Sequence, residues 1–393
     1  MLKFPKLFFQ SGMDADAFES RIRPDMEQRR YLRSCVKKIE THLKPRISLA
    51  TKTVLGMDRS VTPRFRTQGS WSYDTCVVPA MMPPQEMDWD YGVYLPVTVW
   101  EENGPPHDMA KAYFVLVEQL LEELCDKEGW ELLPGKATCI RIQVASWAHI
   151  DVPLYAAPVE EFEKITESVA LAALAKAHAA YDSVSMESID FAEAIEIRQQ
   201  WEDLDRVVMA TRKGEWKPSD PEVVANWFTD RFAEHGPQLR RVCRCLKAWR
   251  DYQWQQGGPS SVSIMIAVAQ GFEPCAGRDD RALEDAARRL SRAFLGEIRE
   301  PGIDDGLEDF NRLQEADREA AAQRFGQLAA QLFQARESAL HEKEVVVARL
   351  RQQFGERLPM DSTRVEFDSD PDAIRNTPAS RVVVPVIPST KAG

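Results

Sequence analysis

Apolar residues recur at threes and fours through residues 13–55, at Phe18, Ile22, Met26, Leu32, Val36 and Ile39. That spacing predicts one long amphipathic helix. From 64 to 100 the pattern shortens into strand-like pieces around Gly69-Ser70. Residues 109–125 return to helix, with Met109, Tyr113, Leu116, Leu120 and Leu124 along one side. Two alternating runs, 138–145 and 149–156, read as strands. Residues 160–205 are rich in Ala and Glu and read as helix, interrupted near 182–189. Ser219 and Glu222 predict a capping box with Pro221 inside the first turn, and the chain then reads as helix to about 354. Residues 310–352 carry Ala, Glu, Gln and Arg without a sustained heptad, which predicts a surface helix pair rather than a coiled coil. The last stretch turns to Pro, Ser and Asp and is expected to be mobile.

Strands mixed with helices come first and helices alone follow, so an α+β molecule of two lobes is expected, with the site in the cleft between them. The boundaries read as 1–215 for a core with its long N-terminal helix, 216–365 for a helical lobe and 366–393 for a tail. Fifty Lys and Arg against 62 Asp and Glu give a formal charge of −12. An acidic chain needs a local basic patch before a nucleic-acid template or an anionic bilayer is a natural partner. Arg21, Arg23, Arg29, Arg30 and Arg33 are the basic stretch of the N-terminal region, either a solvated face or a docking surface. No apolar run reaches the length of a membrane span, and Lys3, Pro5 and Lys6 break up the apolar start that a secretory signal needs. Seven scattered cysteines without a C-x-x-C point to free thiols in a reduced, cytoplasmic compartment and to no structural zinc.

The chemistry lies in carboxylates. In Glu86-Met87-Asp88-Trp89-Asp90-Tyr91 the strand period puts Asp88 and Asp90 on one face, about 7 Å apart. Two such charges repel, and a hard divalent cation relieves them; a solvated strand face without function is the plain alternative. Ile150, Val152 and Leu154 alternate around Asp151, which turns it from the core as a third candidate ligand. Upstream, Gly69 allows a turn that brings peptide N–H groups close to a phosphate, and Ser70 adds a hydroxyl. Lys247 falls on a helix with Arg240 and Arg244, a basic stripe suited to a triphosphate or else an ordinary surface stripe. Gly257-Gly258 before Ser261 permits close backbone approach, as would any helix–helix loop.

Gly-Ser, then D-x-D on a strand, then one Asp on a later strand resembles the polymerase-β-like nucleotidyltransferases. The strings 62–75 (T-P-R-F-x-T-Q-G-S-x-x-Y-D-T), 85–96 (Q-E-M-D-x-D-x-G-x-Y-x-P), 149–156 (H-I-D-V-P-x-Y-A), 219–228, 242–251 and 257–261 are similar to those of the bacterial cyclic GMP–AMP synthases, the DncV-type subgroup of the cGAS/DncV-like nucleotidyltransferases of CBASS antiphage systems. The resemblance implies a palm of mixed sheet and helices plus a helical lobe. It implies catalytic and metal-binding roles for Asp88, Asp90 and Asp151, with two Mg²⁺ ions, or Mn²⁺, as cofactor. It implies nucleotide contacts at Gln68, Gly69, Ser70, Tyr73, Arg141, Ser219, Lys247, Ser261 and Asp305.

The activity so implied is template-independent joining of ATP and GTP into 3′,3′-cyclic GMP–AMP, with Asp151 helping to activate the attacking 3′-hydroxyl. A downstream effector would respond to the product. Some operons of the subgroup carry an E1/E2-like partner, and the resemblance implies conjugation through Gly393. The alternatives are a transferase acting on tRNA or a small hydroxylic acceptor, which the acidic charge disfavours for tRNA, and a non-catalytic nucleotide sensor, which has no need of three carboxylates.

Overall fold

The computed structural model describes residues 1–12, 16–97, 107–158, 207–219, 221–304 and 306–368. The central strand β3 (Met87–Val97) pairs antiparallel with β2 (Arg64–Gln68) and parallel with β6 (Ala148–Val152) and β7 (Leu154–Pro158). The parallel register continues past Pro153: Asp90 stands beside Asp151, and Val93 beside Leu154. β5 (Ile140–Ala145) runs antiparallel to β6, and β4 (Glu131–Leu133) is its outer neighbour. β8 (Val208–Ala210) and β9 (Trp216–Pro218) extend the other side beyond β7. The expected runs 138–145 and 149–156 are thus β5 and the β6–β7 pair, while β4 has no counterpart in the sequence reading.

The expected single helix over 13–55 is two. Pro24 cannot continue a helix from upstream. Asp25 caps the next one, accepting from the Gln28 backbone N–H at 2.7 Å while the Gln28 side chain takes the Asp25 N–H at 3.0 Å. The result is a short α2 (Phe18–Arg21) and a long α3 (Met26–Thr53). α3 and α5 (His107–Glu128) cover the apolar face of the sheet: Leu32, Ile39 and Leu43 with Tyr113, Val117 and Leu121 meet Trp89, Tyr91, Ile142, Ile150 and Val152.

Helices Pro221–His235, Pro237–Gln253, Ser261–Ala269, Asp279–Ala293, Glu315–Glu337 and Lys343–Phe354 build a second core around Trp249, Leu290, Phe325 and Leu332. Glu315–Glu337 is not a surface helix as expected. Its small Ala321, Ala322 and Ala329 permit close approach, and Phe325, Leu328 and Leu332 are fully buried. The structure describes this helix from Pro221, and Glu222 pairs with Arg66 of β2. Leu2, Phe4, Phe8, Phe18 and Ile22, grouped by sequence with the first lobe, belong to this second core. Phe8 and Phe18 each meet Phe354 edge-on at 5.1 Å, and β1 (Leu2–Lys3) pairs antiparallel with β10 (Glu366–Phe367). The expected helix over 160–205 and most of the tail lie outside the described residues.

Candidate active site

Two rows of paired residues cross the sheet. One runs Gln68–Asp90–Asp151–Arg141 over β2, β3, β6 and β5; the other runs Asp88–His149–Gln143 over β3, β6 and β5. Side chains alternate along each strand, so these seven share the face opposite Met87, Trp89, Ile142 and Ile150. The helical lobe approaches that face. Tyr73, which follows α4 (Gly69–Ser72), packs its ring 4.9 Å from Phe228, and Lys247 donates to the Thr75 carbonyl at 2.6 Å.

Crowding of like charge marks the site. Burial, reinforced by Asp88 and Asp151, pushes the Asp90 carboxyl up to about 7. Burial works the same way on Asp151, yet Arg141 grips both its oxygens, at 2.6 and 2.7 Å, and holds its carboxyl below the ordinary value. Burial would lower the His149 imidazole, but the carboxylates of Asp88 and Glu86 outweigh it and raise it. One donor atom each from Asp88, His149 and Asp151 lies within 4.8 Å of the others. Asp88 Oδ1 and His149 Nε2 are buried without a hydrogen-bond partner. They lie 3.1 Å apart, close enough for attraction but misdirected for a hydrogen bond. Oxygen donors with uncompensated charge fit a divalent cation.

Gly69 adopts φ of +60°, and a Cβ there would stand 2.2 Å from Asp90 Oδ2. Only glycine lets the loop pass this close to the carboxylate. Ser70 bonds to the Cys76 thiol, which lies within the field of Lys247 and Asp88. Tyr73 is buried near Asp90 and Asp88, its hydroxyl pushed well up by burial. Gln68 is also buried, its amide engaged by Tyr94 at 2.5 Å and Tyr155 at 3.2 Å. The Tyr155 hydroxyl in turn meets Ser219. Ser261 opens its helix and accepts from Arg250 at 2.7 Å. Asp305 and Gly393 lie outside the described residues.

The expected basic stripe is not solvent-facing. Lys247 is 5% exposed and Arg244 is 4%, because their helix is wedged between the 73–86 segment and the N-terminal residues. Arg244 is committed to Glu19 and Asp74, and Arg240 lies 4.8 Å over the Phe232 ring. Three residues that sequence reasoning gave no site role, Glu86, Gln143 and His149, join the site. Glu86 accepts from Gln143 at 2.7 Å and meets His149 Nδ1 at 2.8 Å. Their signal was the same period of two, which continues from Asp90 through Asp88 to Glu86 and from Asp151 to His149.

Two family models match, "Cyclic GMP-AMP synthase DncV-like, nucleotidyltransferase domain" over residues 63–155 and "Cyclic GMP-AMP synthase, C-terminal domain" over 236–366. Together they take in more than half of the chain. The chain belongs to the DncV-like nucleotidyltransferases. A cyclic GMP-AMP synthase of Vibrio cholerae is 42% identical over 215 residues, 53% of this chain and 47% of that protein. One from Escherichia coli is 41% identical over 210 residues, 52% and 46% of the two chains. These matches thus span about half the length of the curated relatives. The fold likeness is more extensive. The crystal structure of V. cholerae DncV cyclic AMP-GMP synthase aligns with a TM-score of 0.73 and 25% identity over 93% of this chain and 99% of that one. The same enzyme in complex with the linear intermediate 5′ pppA(3′,5′)pG aligns at 0.72 and 26%, over 93% and 98%. The DncV-like nucleotidyltransferase fold, a mixed sheet with helices followed by a helical lobe, is the fold of this chain.

Proposed function

We propose that this chain is a template-independent nucleotidyltransferase that joins ATP and GTP into 3′,3′-cyclic GMP–AMP. The observation that carries the reading is the face on which Asp88, Asp90 and Asp151 converge beside Gly69. The names of the relatives and the adenosine–guanosine intermediate held by the V. cholerae enzyme support the substrates.

Asp88, Asp90 and Asp151 would hold two Mg²⁺ ions, or Mn²⁺, which neutralise phosphate charge and acidify the attacking hydroxyl when bound. The loop at Gly69 and Ser70 brings backbone and hydroxyl donors to the phosphates of the donor nucleotide, while Lys247, Ser261 and Arg141 supply charge and hydrogen bonds to its triphosphate. Tyr73, Gln68 and Ser219 are assigned to the nucleotides, and Asp305 near a base, by resemblance alone. Arg141 must release Asp151 before that carboxylate can take the proton of the acceptor 3′-hydroxyl. Attack on the donor α-phosphate then expels pyrophosphate, and the linear product turns over in the same site to close the ring. One carboxylate set serves both steps because each is the same in-line displacement.

The same reading carries a cytoplasmic enzyme, an effector that responds to the product and an E1/E2-like partner acting at Gly393, all on resemblance alone. Among the described residues no helix is long and apolar enough to cross a membrane.

The test is incubation with four labelled NTPs and Mg²⁺, then phosphatase and product identification. A phosphatase-resistant product containing both purines supports the proposal, and its loss in the Asp88→Asn/Asp90→Asn double variant ties it to this face. Transfer only to an added tRNA or small hydroxylic acceptor would overturn it.

A further inference from the structure

His149 is 6% exposed, and one side of its ring is fixed. Nδ1 lies 2.8 Å from Glu86 Oε2, and the other Glu86 oxygen is anchored by Gln143 Nε2 at 2.7 Å. A carboxylate only accepts, so Nδ1 carries a hydrogen and Nε2 is the nitrogen available to a ligand. Nε2 points into the carboxylate face. It has no hydrogen-bond partner there, and neither does Asp88 Oδ1, 3.1 Å away. Polar atoms left without a hydrogen-bond partner in such a position cost free energy. A cation ligated by both supplies the missing partner. Asp151, the third member of the group, has one oxygen within the same 4.8 Å compass.

We infer that His149 is itself a metal ligand: Nε2 joins Asp88 and Asp151 in holding a divalent ion, with Glu86 and Gln143 orienting the ring from behind. This rests on the reading of the carboxylate face as a metal site and adds a nitrogen to an oxygen donor set. Metal-bound histidines commonly give their second N–H to a carboxylate, the arrangement that Glu86 provides. A nitrogen donor also changes the preferred ion. Mg²⁺ favours all-oxygen surroundings, whereas a mixed imidazole–carboxylate set suits Mn²⁺ and later transition ions better.

Pulsed electron spin resonance of the full-length protein with Mn²⁺ and inorganic tripolyphosphate decides the matter, because that probe introduces no nucleobase nitrogen. Direct imidazole ligation predicts ¹⁴N modulation in the wild-type chain, altered when histidine is labelled with ¹⁵N and absent in His149→Gln. Glu86→Gln, which leaves the imidazole in place but unorients it, should weaken Mn²⁺ binding by about tenfold. Labelling keeps the test informative if His149→Gln fails to fold. Bound Mn²⁺ without nitrogen modulation, or modulation that persists in His149→Gln, overturns the inference while leaving the carboxylate site standing. No Mn²⁺ binding at all overturns the metal site and the inference together.

Discussion

Arg141 and Asp151 face each other across the β5–β6 ladder and are joined by two parallel hydrogen bonds, Nε to Oδ1 at 2.6 Å and Nη2 to Oδ2 at 2.7 Å. The guanidinium thereby occupies the carboxylate that metal and substrate would need. It stands in for the cation and balances a buried charge among neighbours of like sign. On the proposed function, exchange of this pair for metal and triphosphate would commit the site to its ligands.

Removing the guanidinium should therefore destabilise the metal-free protein and leave the loaded protein nearer to wild type. Arg141→Gln is expected to cost about 2 kcal/mol without metal, the worth of charged hydrogen bonds at a buried carboxylate. Mg²⁺ with a non-hydrolysable NTP should recover part of that loss. Thermal melts with and without the ligands check it, and equal losses in both states would refute the exchange.

The raised carboxyl of Asp90 predicts a dependence on pH. Its folded value of about 7 lies above that of an unfolded aspartate, so the native state binds more protons between roughly pH 4 and pH 7. Stability is full below the unfolded value and is lost as pH rises through the folded one, by at most about 1.4 kcal/mol per pH unit. Asp90→Asn should flatten that slope and melt above the wild type at pH 7.5 without metal. Parallel slopes for the two proteins would show that Asp90 does not titrate in this window.

Gly69→Ala meets two obstacles, the left-handed backbone at φ +60° and the carboxylate 2.2 Å from the new Cβ. The backbone alone costs about 1 kcal/mol or more. Displacement of Asp90 should reduce kcat/KM by far more than the stability loss explains. A variant that is destabilised yet fully active at low temperature would mean that the close approach has no part in the reaction.

Lys247 lies buried against the Thr75 carbonyl, and burial lowers its ammonium from the usual value. Lys247→Met keeps much of the volume and removes the charge. If the ammonium grips the triphosphate before and during reaction alike, the KM for NTP should rise on the order of tenfold with a smaller change in kcat. An unchanged KM would return Lys247 to a purely structural role at Thr75.

The carboxylate face was legible because a strand alternates with period two, so Asp88, Asp90 and Asp151 could be assigned to one side from spacing alone. The pairing of Asp90 with Asp151, and of Asp88 with His149, was not legible, since register between distant strands is set by the whole sheet. For the same reason the Arg141–Asp151 pair was not legible. Helix existence was read well from 221 to 354, but burial was not. Ala-rich Glu315–Glu337 and the Arg240–Lys247 stripe look polar as strings and become interior once the N-terminal residues pack over their neighbours. Phe18 and Ile22 fitted the helical period of α3, and only Pro24 and the Asp25 cap separate them from it.

The pairing of Leu2 with Phe367 has a consequence for biosynthesis. The sheet and its two covering helices are complete within residues 26–158 and 207–218 as described, so they can condense while the ribosome is still translating the rest. The helical lobe cannot. Its core needs Leu2, Phe8 and Phe18 together with Leu350, Phe354 and Leu358, which come far later in the sequence. Until those late residues emerge, the early ones have no place to pack and the carboxylate face lacks its opposing wall. A nascent chain can thus own the sheet that bears its acidic residues while the helical wall that faces them is still unformed.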